Sequence, residues 1–83
     1  MKAKEMFEEL GYEIYKGFCY IEYTKEKPIN RYQYESYQIR FYENDKKVSI
    51  YQNLDLNELK AINKQIEELA WEEKWKQNLK LEI

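Results

Sequence analysis

The stretch "DLNELKAINKQIEELA", Asp55 to Ala70, constrains this chain more than any other. Asp55 stands three residues before Glu58. An Asp there accepts from the open first-turn N–H groups of a helix, and the Glu reaches back to the cap residue's own N–H. Leu59, Ile62, Ile66, Leu69 and Ala70 then recur at helical spacing, which predicts a capped helix with one core-facing stripe. No Gly or Pro stops the run before the last residue.

That continuity raises a question about the tryptophans. An α-helix turns about 100° per residue. With Leu59 at zero, the other stripe residues fall within roughly 80° on one side and 20° on the other. Trp71, Trp75 and Leu79 fall at roughly 120°, 160° and 200°, a second stripe facing away from the first. If the helix persists to about Asn78, those side chains meet solvent. Burying a large aromatic is worth about 2–3 kcal/mol, so two exposed indoles imply a cover, either a second copy or another protein. If the helix ends near Glu72, the tail folds back. "LKLEI" then adds a short edge strand with Leu79, Leu81 and Ile83 inward, and the tryptophans pad the rim of the core. The sequence leaves all three outcomes open.

Upstream, Ala3, Met6, Phe7 and Leu10 share one face of a short helix from Lys2 to Leu10, and Gly11 follows as its terminator. "GFCYIEYTKEK", Gly17 to Lys27, reads as a strand, with Cys19, Ile21 and Tyr23 on one face and Phe18, Tyr20, Glu22 and Thr24 on the other. Pro28 stops it, and "PINRY" makes a connection. "YESYQIRFYE", Tyr34 to Glu43, is a second strand, with Tyr37, Ile39 and Phe41 opposite Gln38, Arg40 and Tyr42. "KVSIY", Lys47 to Tyr51, is a third, joined to the second through the polar turn "ENDK". "YEIYK", Tyr12 to Lys16, either leads into the first strand or stays a loop. The fold expected is α+β, in the order α-β-β-β-α: a three-stranded antiparallel sheet with both helices on one face. Residues 1–83 make a single domain, with 72–83 a tail or a helix extension.

A chain this short has a thin core, so each large apolar side chain should pack somewhere. Nine of its residues are tyrosines, which line a thin core and still reach water. The net charge of −2 disfavours a generic nucleic-acid backbone binder. No apolar run is long enough to span a membrane. "MKAKEMFEEL" has no signal core, so no export is expected. The lone Cys19 excludes an internal disulfide and fits a reducing cytosol.

Most catalytic chemistry lacks its residues. With no histidine, the commonest general base, the usual zinc ligand and the Ser-His and Cys-His pairs are all missing. The adjacent pairs Glu8/Glu9, Glu67/Glu68 and Glu72/Glu73 diverge around helix axes and read as solvated faces. Gly11 and Gly17 match no phosphate loop. Cys19 has no activating base nearby in sequence and reads as a small hydrophobe. No enzyme, cofactor or metal is expected.

The face of the sheet away from the helices is more informative. If Ile21, Ile39 and Ile50 point to the helices, Tyr20, Tyr42 and Tyr51 point outward with Arg40 and Lys47. Plain cross-strand packing explains such tyrosines, and a single-strand nucleic-acid reader stacks bases on them, although the acidic charge disfavours that. A rigid amphipathic Tyr surface is also what protein-binding sites are made from. Trp71, Trp75, Leu79, Tyr20, Arg40, Tyr42 and Tyr51 are therefore the candidate contact residues, since aromatic and Arg side chains tend to dominate interfaces.

The opening "AKEMFEELGYE" and the later "LDLNELKAINKQIEELAW", Leu54 to Trp71, resemble a group of small proteins from phages and prophages of Firmicutes. Accessory proteins of that kind often act by binding a host protein, sometimes as inhibitors of defence nucleases such as anti-CRISPR proteins. The resemblance implies a cytoplasmic binder of a host or defence protein. Beside it stand the two other readings, a self-associating homodimer and a single-strand nucleic-acid binder.

Overall fold

The computed structural model describes residues 1–71. The expectations for Trp75, Leu79 and the "LKLEI" strand lie outside the described residues. The elements run α1 (Ala3–Glu9), β1 (Glu13–Lys16), β2 (Tyr20–Pro28), β3 (Tyr34–Tyr42), β4 (Lys47–Ile50) and α2 (Leu56–Glu68). The strands form an antiparallel meander in the order β1-β2-β3-β4. The sheet thus has four strands, and the three-stranded expectation is corrected: "YEIYK" supplies β1. Ile14 is its one partly buried side chain, while Glu13, Tyr15 and Lys16 are exposed. An edge strand with so little to bury leaves almost no alternation to read. Its turn into β2 is held by the Gly17 N–H donating to the Tyr20 carbonyl at 2.9 Å.

Both helices pack on one face. Phe7 of α1 and Ala61, Ile62 and Ile66 of α2 meet Ile21, Tyr23, Ile39 and Phe41 of the sheet in one cluster with Tyr12. The Phe7 ring stacks on Tyr23 at 3.8 Å and meets Tyr12 edge-on at 5.5 Å. The period-two reading of β2 and β3 therefore holds, with alternate residues inward.

The phase of α2 differs from its apolar pattern. Leu59 is 45% exposed and Ala70 is exposed, whereas Glu58 and Gln65 are buried. The cause is the tyrosine content of the core. Tyr12 and Tyr23 bring hydroxyls into the interior, and buried hydroxyls require partners. Glu58 Oε2 accepts from Tyr12, and Gln65 Oε1 accepts from Tyr23 at 2.5 Å. The helix is rotated so that these two polar side chains stand over the phenols. Glu58 also completes the capping box: its Oε1 accepts the Asp55 N–H at 3.0 Å, and Asp55 accepts the Glu58 N–H at 2.8 Å.

The two helices end in the same way. In α1 the Gly11 N–H reaches the Glu8 carbonyl, and the Tyr12 N–H reaches Phe7. In α2 the Ala70 N–H reaches Glu67, and the Trp71 N–H reaches Ile66. Each is a paired termination that needs a left-handed residue, and each is followed by an aromatic, Tyr12 or Trp71, that packs into the core cluster or against it. At the first, Gly11 has φ +91°; at the second, Ala70 has φ +61°. The Ala3 N–H of α1 donates to Glu68 Oε2 at 2.7 Å, joining the start of one helix to the end of the other.

Candidate interaction surface

Among the described residues, no helix lies on the sheet's outer face. Directly across its four strands lie Tyr15, Glu22, Arg40 and Ser49, and in the next row Tyr20, Tyr42 and Lys47. Residue alternation puts these side chains on one side, and the pairing register makes them neighbours. Arg40 Nε donates to Glu22 Oε1 at 2.9 Å, and its Nη2 also reaches that oxygen. Gln38 Nε2 donates to the same atom, and Arg40 Nη1 donates to the Tyr42 hydroxyl at 3.3 Å.

Those bonds fix the guanidinium against the rings. Its carbon stands 4.6 Å from the centroid of Tyr20 and 5.8 Å from that of Tyr42. Tyr20 in turn lies 5.9 Å from Tyr15 and 6.4 Å from Tyr42. The Arg40 hydrogen bonds hold the Glu22 carboxyl below its ordinary range, against the opposing effect of desolvation. Desolvation, then the neighbouring Tyr15, push the Tyr20 phenol upward, and Arg40 partly offsets them. The result is a rigid aromatic ledge whose central positive charge is already matched.

Phe18 lies at the tip of the β1–β2 turn beside this ledge and is 100% exposed; Tyr15 is 58% exposed. The turn is braced from the neighbouring hairpin. Cys19 accepts the Glu43 N–H at 2.9 Å on its carbonyl, and Asn44 Nδ2 lies 3.3 Å from its sulfur. Gly17 leaves room for the Tyr20 ring: a Cβ there would stand 2.3 Å from Tyr20 Cε1.

Of the candidates read from sequence, the structure brings together Tyr20, Arg40 and Tyr42. Tyr51 lies apart, 72% exposed beyond β4, where it lines an open depression with Glu35, Ser36 and Tyr37. Trp71 is half-buried against the core, its ring 6.5 Å from Phe41, because α2 stops at Glu68. The fold-back reading expects the end near Glu72, and its returning tail lies outside the described residues. Trp75 and Leu79 lie outside the described residues. Tyr15 and Phe18 were missed as candidates. Once "YEIYK" is a strand, Gly17 becomes a hairpin turn, and Phe18 moves from a strand face to a tip.

At the opposite end, β2 and β3 outrun their short neighbours. Asn30 Oδ1 closes their loop by accepting the N–H groups of Tyr32 at 2.9 Å and Gln33 at 3.1 Å. Ile29, Tyr32 and Tyr34 are exposed there. Among the described residues no three His, Cys, Asp or Glu side chains come together as a metal site, and no helix is long and apolar enough to cross a membrane. No protein-family model matches the chain, and neither a curated protein nor a solved structure matches it.

Proposed function

We propose that this protein is a non-catalytic protein-binding module whose contact surface is the outer face of the sheet at its Phe18 end. The full exposure of Phe18 beside the Tyr15–Tyr20–Tyr42 ledge carries the reading. A small domain that leaves a whole phenyl ring in water forgoes about 1.5–3 kcal/mol of burial. A partner that covers the ring recovers that energy. The ledge adds rings already ordered by Arg40 and Glu22, so binding costs little side-chain entropy. The resemblance to phage accessory proteins makes a bacterial host or defence protein the partner of choice.

A nucleic-acid reader has less support, because the cation among the rings is committed to Glu22. The test is capture from a bacterial host lysate by the full chain. One dominant protein should be recovered, and Phe18→Asp should abolish its recovery while Tyr51→Ala leaves it. Undiminished capture by Phe18→Asp would overturn this assignment of the surface. Phe18-dependent dimers in sedimentation, with no foreign protein retained, would replace the partner with a second copy.

A further inference from the structure

We propose that the C-terminal end of α2 is a two-position device: a docked position, in which the helix stops at Glu68 and Trp71 lies on Phe41, and a released position, in which α2 winds on through Ala70 and lifts Trp71 off the core. The docked position is the one the structure holds. It requires Ala70 at φ +61°, a conformation that an L side chain enters at a cost and a glycine does not. The same termination in α1 is made by Gly11, so the cost falls on one of the two helices. Two paired hydrogen bonds and the Trp71–Phe41 contact offset it.

The competing position is favoured by the sequence. Ala70 is the best of helix formers, and Glu67 to Asn78 holds no Gly, Pro or β-branched residue. Nothing in those residue types calls for a stop at Glu68. On a continued helix Trp71 lies roughly 150° from the middle of the arc formed by Glu58, Ala61, Ile62, Gln65 and Ile66. It cannot touch Phe41 from there, so helix growth and indole burial exclude each other. One residue thus decides whether Trp71 is part of the domain's interior or is available to a partner. This holds whether or not the Phe18 surface binds protein.

The test uses the full chain with Trp75→Phe, which leaves Trp71 as the sole indole, labelled with 5-fluorotryptophan for fluorine NMR. The parent should give two resonances, or one broadened by exchange. Ala70→Gly relieves the left-handed conformer and weakens a helix running through the position, so it should move the ratio about tenfold or more toward the docked resonance. Ala70→Val penalises the left-handed conformer further and should move it the other way, with a gain in helical ellipticity at 222 nm. One unshifted resonance in all three proteins would overturn the proposal. So would a released form that loses ellipticity, since that is fraying and not a second helix end.

Discussion

The Tyr23 hydroxyl donates to Oε1 of Gln65 across 2.5 Å, tying the middle of β2 to the C-terminal half of α2 inside the core. Both side chains are buried, at 1% and 5% exposure. A buried donor or acceptor stripped of its partner costs about 1–3 kcal/mol, whereas removing both ends together costs far less. Gln65→Leu and Tyr23→Phe should each therefore lower the unfolding free energy read from urea denaturation by an amount in that range. The double variant should fall short of the sum, and a double-mutant cycle reads the coupling directly. Strict additivity would mean that the bond contributes nothing.

Alkaline pH should act through the same phenols. Burial first, then the charges of Glu68 and Glu8, push Tyr23 up from 10.0 to about 12. Tyr12 is raised too, by burial and by its bond to Glu58. A raised phenol keeps its proton longer in the folded chain than in the unfolded one. The stabilisation is whole below pH 10 and disappears as pH climbs toward 12, because the unfolded state ionises first. Thermal midpoints should be insensitive to tyrosine ionisation up to about pH 10 and fall steeply above it. Tyr23→Phe should shallow that fall.

Gly17 offers a way to disturb the outer face without touching the core. An added methyl would sit 2.3 Å from Tyr20 Cε1, so the ring must swing away from Arg40. Gly17→Ala should leave the urea midpoint nearly unchanged while altering the near-ultraviolet tyrosine signal and weakening capture of a partner. A large loss of stability with unaltered spectra would place Gly17 among the folding determinants instead.

Gly11 should respond for a different reason. Its nearest neighbour to an added Cβ is Lys25 Cδ at 3.9 Å, which is ordinary contact, yet its φ is +91°. Gly11→Ala should cost about 1–2 kcal/mol from backbone conformation alone. Chemical denaturation measures this, and an unchanged midpoint would show that the turn relaxes without penalty.

Much of this arrangement was legible in the residues. The cap at Asp55 and Glu58, the inward faces of β2 and β3 and the stop at Gly11 all follow from spacing and local chemistry. β1 was illegible because Ile14 is the one side chain it partly buries. The rotation of α2 escaped because Glu58 and Gln65 are polar by type, and their burial depends on hydroxyls that arrive from Tyr12 and Tyr23, more than 40 positions away in the chain. Of the candidate surface, Tyr20, Arg40 and Tyr42 were identifiable from strand parity. Phe18 required knowing that a turn lies at Gly17. The turn at Ala70 ran against propensity, since alanine favours the helix it ends.

The two phenol contacts of α2 fall at Glu58 and Gln65, two helical turns apart. Greasy side chains alone would let a short helix slip along a sheet by one turn and still find something to touch. Here a slip would strand both hydroxyls at once, so misaligned packings are raised in energy and one alignment survives. The polar atoms in the middle of this domain act as a vernier, and chains diverging from it should exchange those tyrosines and their acceptors in matched pairs.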